Sequence, residues 1–536
     1  WESHSSKGFT MSAFDPIELE ILWQSLISTV NEQARALQRS AFSPIVREAG
    51  DLANAVFDQR GRMVAQAVTG TPGHINSLAI GASKMLEEIT PEELNPGDVL
   101  ITNDPYKTAG QLLDVTVLVP VWKDQKKDSK EKQVPIAYFG STIHHTDVGG
   151  YGIGAGGRDC FEEGLWIPIC KLMKEGQRNE DVWKFILSNV RQPDHMAGDL
   201  HAQMASGEVG AQRLLTLCES HDMQDIEDLS DEIVQRSEEA TRASIKELKA
   251  GSYSSSALLD LADGSKIDIV CSMEVDTQEG EIIVDYEGTS EASPWGINVV
   301  ENYTHAYTTF TVRSVLNPDI PNNFGSLKPI KMRAPKGSIV NAVLPQPGTA
   351  RHVVGMFLPN ALLKALAQVK PESSMAEGSG AVWTMQVNGT HEDGSPFITA
   401  MFTYAGGVGA RESKAGLSAC SYPTGVAAVP IEVVEASAPI YFHRKELRQG
   451  SGGGGAQTGG LGQTIEFSVD TDNYWELNAV TSRLSDPPQG IFGGDSGASG
   501  SFQVNGKSVK TQNRIKLESE DVIRLELPGG GGYGKS

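Results

Sequence analysis

Asp114 opens the apolar run DVTVLVPVW, residues 114–122, and His144 closes its counterpart VPIAYFGSTIH, residues 134–144. Apolar runs of this length read as buried strands. Folded back on each other, they pair residues whose numbers add to 258, so Asp114 faces His144 at one sheet edge. Upstream, NDPYKTAGQLLD adds Asn103, Asp104 and Gln111; downstream, HHTDVGG adds His145 and Asp147. Imidazole and carboxylate are the usual ligands of a catalytic Zn, Mn or Fe ion. Such an ion lowers the pKa of bound water from about 15.7 towards about 7 and polarises a carbonyl, which supports hydrolysis or carboxylation. On spacing alone, a hydrogen-bonded polar edge without metal explains the same residues. Alternation along a strand sends His144 and His145 to opposite faces, and His144 is the one assigned to the site. Asp51 in REAGDLANAVFD and His74 in TPGHINSLA lie in similar polar turns, where capping competes with catalysis.

The elements that must carry these residues follow from hydrophobic pattern. FDPIELEILWQSLISTVNEQARALQRS sets Leu19, Leu22, Trp23, Leu26, Val30 and Leu37 on one helical stripe, with Asp15 as N-cap and Pro16 in the first turn. GDLANAVFDQRGRMVAQA alternates around a D-x-x-G turn and predicts a hairpin, and PGHINSLAIGASKMLEEI predicts the next helix. The charged stretch 123–133 between the paired runs predicts a solvated connection, and residues 209–249 predict two amphipathic helices. After residue 250 the texture turns to strands: KIDIVCSMEVD, EIIVDYEG, PFITAMFTYAGG and QTIEFSVD. The expectation is an α+β multidomain chain with a mixed α/β N-terminal half and a β-rich C-terminal half. Residues 1–10 read as a tag or extension, 11–250 as the domain with the candidate site, 251–440 as a β-rich domain and 441–536 as a glycine-rich β region.

A net charge of −23 repels nucleic acid and anionic membranes alike, and no run approaches the roughly 20 apolar residues of a bilayer span. Five scattered cysteines without a C-x-x-C pair argue against a disulfide framework and fit a reducing cytoplasm. GGGGYGKS, residues 529–536, satisfies the P-loop expression, but a P-loop needs a helix after it and the given sequence ends at Ser536. A glycine turn that closes the last strand, DVIRLELP, is expected instead.

REAGDLANAVFDQRGRMVAQ, PGHINSLA, NDPY through LLDVTVLVPVW, HHTDVGG, FEEGLWIPICKL, IPNNFGSLKPIKMRAPKG, GSGGGGAQTGGLG and LPGGGGYG, in this order, resemble the hydantoinase B/oxoprolinase family. The resemblance implies the B-type subunit of a hetero-oligomeric, ATP-dependent cyclic-amide hydrolase. A hydantoinase A-type partner subunit, holding ATP and Mg, would phosphorylate the ring carbonyl of a hydantoin, lactam or 5-oxoproline-like substrate. The B-type chain would complete ring opening. A ketone carboxylase subunit and a noncatalytic scaffold are the alternatives. In the acetone carboxylase branch a metal is held by H-x-x-D and a later histidine; the motif maps here onto Gln111 and Asp114, and the histidine onto His144 or its neighbour His145; Gln111 departs from the pattern, and a Gln amide is a weak donor for such an ion. On this view Asp114 and His144 hold or activate water, Asp51 and His74 orient substrate or act as acid and base, and Asp147 supports a histidine.

Overall fold

The computed structural model describes residues 14–123, 133–380, 382–471 and 473–536. The proposed extension at 1–10 and most of the charged connection at 123–133 lie outside the described residues. The first half is built on β1 (Leu52–Phe57), β2 (Met63–Gln66), β3 (Val99–Thr102), β4 (Asp114–Val121), β5 (Ala137–His144), β6 (Cys170–Lys174) and β7 (Gln177–Arg178). They form one antiparallel sheet in the order β2-β1-β5-β4-β3-β6-β7. The register of β4 on β5 runs from Asp114 opposite His144 to Val121 opposite Ala137, as the hairpin reading requires.

Every residue of β4 and β5 is buried, because helices cover both faces of this sheet. That two-sided cover explains why the strands read as continuous apolar runs rather than alternating ones. Helices α1 (Pro16–Ser40) and α2 (Pro44–Arg47) precede the sheet, and α3 (Pro72–Glu88) follows its first hairpin. The Asp15 carboxylate caps α1 by accepting from the amides of Ile17 and Glu18 at 2.7 and 3.2 Å. After α4 (Glu180–Ser188) come α5 (Pro193–Ser220) and α6 (Glu227–Lys246), the two helices expected at 209–249. The first of them starts earlier than its charged pattern showed, because its N-terminal half is buried on the sheet. A Cβ at Gly207 would stand 2.5 Å from Val119, and one at Gly210 2.5 Å from Phe139, so glycine sets how closely α5 approaches β4 and β5. Leu22, Leu26, Val56, Phe139, Ile143 and Leu214 form the core on this face; Phe57, Leu78, Met85 and Leu118 form it beneath α3.

The second half carries three sheets, one of them at residues 251–333. It is not purely β: α7 (Glu301–Leu316) packs against α3. Nor does residue 440 separate sheets, since the strand Val382–Thr390 pairs with Trp475–Val480. One apolar cluster joins Val115 and Val117 to Trp383, Phe467 and Leu525, so the first sheet and the last strands share a core. The two glycine-rich motifs are parts of one structure: Gly453 donates to the carbonyl of Gly530 at 2.9 Å, and Gly530 to that of Gly460 at 2.9 Å. A Cβ at Gly530 would lie 2.0 Å from the carbonyl oxygen of Val408. The GGGGYG motif is thus closely packed backbone. No helix among the described residues is long and apolar enough to cross a membrane.

Candidate functional site

Asp114 is the first residue of β4 and His144 the last of β5, so the hairpin delivers both to one edge. β1 lies beside β5, and the residue before β1 arrives with it: the His144 amide donates to the Asp51 carbonyl at 3.3 Å. His74 stands in the first turn of α3, where its amide donates to the Thr71 hydroxyl at 3.3 Å. A Cβ at the neighbouring Gly73 would lie 2.4 Å from the Tyr303 ring of α7, so a glycine lets this turn settle onto that ring.

The four residues expected to be catalytic therefore meet. His74 bridges two carboxylates, with Nε2 2.9 Å from Asp114 Oδ2 and Nδ1 3.3 Å from Asp51 Oδ1. His144 Nδ1 lies 3.1 Å from Asp114 Oδ1 and 3.9 Å from Asp51 Oδ2. Gln111 Nε2 donates to Asp114 Oδ1 at 2.6 Å and lies 2.9 Å from His144 Nδ1. Asp51, His74, Gln111 and His144 line a cavity of about 40 Å³, room for two or three waters. Asp114 is fully buried beneath it and does not line it, but touches His74 and His144, which do.

Arg351, a residue the sequence did not single out, forms a buried ion pair with Asp114 through Nη2. Its Nε donates to the Ala109 carbonyl, and its guanidinium lies 4.1 Å from the centre of the Tyr303 ring. Room for it comes from Gly110, held at φ +88°, where a Cβ would stand 2.8 Å from Arg351 Cδ. His352 follows it into the cavity wall, with Nε2 3.3 Å from the Thr384 hydroxyl. The only signal in the sequence was an Arg-His pair inside the apolar surroundings of GTARHVVGMF.

These contacts set the charges. Burial opposes charge on Asp114, but Arg351 and then His74 outweigh it and hold the carboxyl well below its ordinary 3.8. Burial also opposes charge on His74, yet the carboxylates of Asp114 and Asp51 raise its pKa above the ordinary 6.5. His352 is pushed down to about 3 by burial and by the adjacent guanidinium, and stays neutral. Glu163, outside the cavity, accepts from the amides of Gly348 and Thr349 at 2.8 and 2.7 Å, and so fixes the loop that leads to Arg351. Burial pushes its carboxyl up to about 7.

The expected metal set of Gln111, Asp114 and His144 does not fit a divalent ion. Both oxygens of Asp114 are engaged, Oδ2 by Arg351 and His74 and Oδ1 by Gln111 and His144. The Gln111 amide presents its nitrogen, a donor, to the carboxylate and the imidazole. An ion here would also lie against a buried guanidinium. Among the described residues no group of three or more His, Cys, Asp or Glu is arranged to hold a metal. Asp147 is a second correction: it accepts from Arg191 Nη1 at 2.6 Å and from the Gly149 amide at 3.0 Å, and holds a loop rather than a histidine. His145 is buried outside the cavity, in the electrostatic reach of Asp199 and Gln203, as the opposite-face argument requires.

The family model described as hydantoinase B/oxoprolinase matches residues 15–536. A proposed B-type D-/L-hydantoinase component of a Pseudomonas strain is 30% identical over 98% of this chain and 90% of its own length. The crystal structure of the ATP-dependent caprolactamase from Pseudomonas jessenii shares the fold with a TM-score of 0.88 at 24% identity, over 98% of this chain and 92% of that one. An acetone carboxylase in its nucleotide-free form does so with a TM-score of 0.86 at 18% identity, over 97% of this chain and 76% of that one.

Proposed function

The chain belongs to the hydantoinase B/oxoprolinase family, and from that premise we propose that it is the B-type subunit of an ATP-dependent cyclic-amide hydrolase. In this reading a partner of the A type, holding ATP and Mg, phosphorylates the carbonyl oxygen of a hydantoin, lactam or 5-oxoproline-like ring. Water adds to the activated carbon, the ring C–N bond breaks as nitrogen takes a proton, and a second water converts the acyl phosphate to carboxylate and phosphate. The hydantoinase and caprolactamase names of relatives, both given as subunits, support the division of labour and the substrate class.

The observation that carries the reading is the Asp51–His74–Asp114 array beside a cavity with room for water. Asp51 lines the cavity and accepts the proton of the attacking water. His74, in contact with Asp51, gives its own proton towards the leaving nitrogen and is restored by the one Asp51 has taken. Asp114 keeps the imidazole oriented, and Arg351 keeps Asp114 ionised so that it does not take the proton itself. No step runs through a metal. A ring exceeds the present cavity, so the wall at Thr424 and Val426 has to yield when substrate enters.

The test is ATP-dependent ring opening by the complex of this chain with its A-type partner. Asp51→Asn and His74→Gln are expected to lower turnover by about 10²–10⁴-fold while assembly is retained. Unchanged turnover favours a scaffold. The acetone carboxylase likeness motivates a parallel assay, ATP-dependent fixation of labelled bicarbonate into a ketone; fixation without ring opening replaces the hydrolase reading.

A further inference from the structure

Arg351 and Arg483 are each buried against a carboxylate, Asp114 and Glu377 respectively. Arg313, in the last turn of α7, breaks this pattern. Its Nη1 donates to Asn322 Oδ1 at 2.7 Å and its Nη2 to the Ile320 carbonyl, both neutral acceptors. Its Nε is covered and has no partner among the described residues. Burial alone pulls its pKa down, to about 10, with no carboxylate countering it, and the group remains a cation at neutral pH. Arg313 is half-buried at the wall of a cavity, and a partly dehydrated cation without a carboxylate partner attracts a counter-charge.

The guanidinium lines a cavity of about 530 Å³, within the usual range of small-molecule sites. One wall is apolar, formed by Ile27, Ile75 and Phe310. The other is a chain of amides: Asn322 Nδ2 donates to Gln66 Oε1 at 2.5 Å and to Asn76 Oδ1 at 2.7 Å. Asp319 stands exposed at the rim without an ion pair to Arg313, and its repulsion favours a singly charged ligand over a multiply charged one. The space is separate from the candidate site: Thr71 and His74 border that site, while Pro72, Ile75 and Asn76 border this cavity.

We propose that this cavity is a second binding site, which takes a small monocarboxylate with an apolar body, its charge on Arg313 and its body against Ile27, Ile75 and Phe310. Arginine is suited to this role, because a planar guanidinium meets a carboxylate with directed N–H donors.

Calorimetric titration of the full chain with hexanoate, hexylamine and inorganic phosphate tests the assignment. Hexanoate is expected to bind saturably, hexylamine not at all, and phosphate at least tenfold more weakly. Arg313→Gln is expected to weaken hexanoate binding at least tenfold and Asp319→Asn to strengthen it. Ser314→Trp, at an exposed position of the lining, fills the cavity without touching the amide chain; it is expected to abolish binding with thermal unfolding unchanged. Absent hexanoate binding, equal binding of hexylamine, or hexanoate binding that survives Ser314→Trp overturns the proposal. Phosphate binding as tight as hexanoate overturns the apolar half of it.

Discussion

Replacing Arg351 by methionine tests the claim that a guanidinium holds the site together where related proteins were expected to use an ion. Methionine keeps an unbranched chain beside the Tyr303 ring but leaves Asp114, fully buried, without its leading cationic partner. Breaking a buried pair from one side costs about 3–5 kcal/mol. With an unfolding entropy of about 2.1 cal/mol/K per residue, a chain of 536 residues loses about 3–4 °C in Tm. Asp114→Asn alone is expected to cost a similar amount, because it strands the guanidinium. The double variant removes both charges and is expected to be less destabilised than the sum of the singles by about 2–3 kcal/mol. Denaturant unfolding of the four proteins, followed by far-UV circular dichroism, reads each corner of this cycle. Strict additivity, or an Arg351→Met cost below about 1 kcal/mol, would refute the argument that this pair organises the site.

Other outcomes follow from the same geometry. His74 has a raised folded pKa, so its contribution to stability is complete below 6.5 and lost as pH rises through the raised value; Asp114 has a depressed one, so its contribution is complete above 3.8 and lost as pH falls below it. Thermal unfolding against pH should therefore show a plateau between these limits, and His74→Gln should remove its alkaline edge. Glu163 is pushed up to about 7 from 4.5, so at pH 8 its ionisation costs about 3 kcal/mol; Glu163→Gln should be more stable than wild type at pH 8 and nearly equal to it at pH 4. Elemental analysis of purified protein should find no stoichiometric transition metal, whereas Gln111→His combined with Arg351→Met, which frees Asp114 and adds an imidazole, should gain one. A stoichiometric ion in the wild type would sink the reading of Arg351 as its replacement.

The difference between what the sequence disclosed and what it hid is one of chain distance and of period. The β4–β5 register was readable because two apolar runs with polar ends have one pairing that buries both, and Asp114 and His144 sit at those ends. α1 was readable because its stripe is amphipathic and its cap is an aspartate followed by proline. α7 was not, since it is buried by Tyr303, Thr304, Tyr307, Thr308 and Thr311, residues whose types mix hydroxyls with rings and give no stripe. The strand pairing across residue 440 and the Arg351–Asp114 contact fail for another reason. The latter joins residues 237 apart, and no local pattern encodes a partner that far away. The metal expectation followed directly: with Gln111, Asp114 and His144 in view and Arg351 out of view, a divalent ion was the available source of positive charge. The buried arginine supplies that charge instead, and it explains why a glutamine is tolerated at residue 111: beside a carboxylate already paired with a cation, the chain needs a neutral hydrogen-bond donor there and not another ligand.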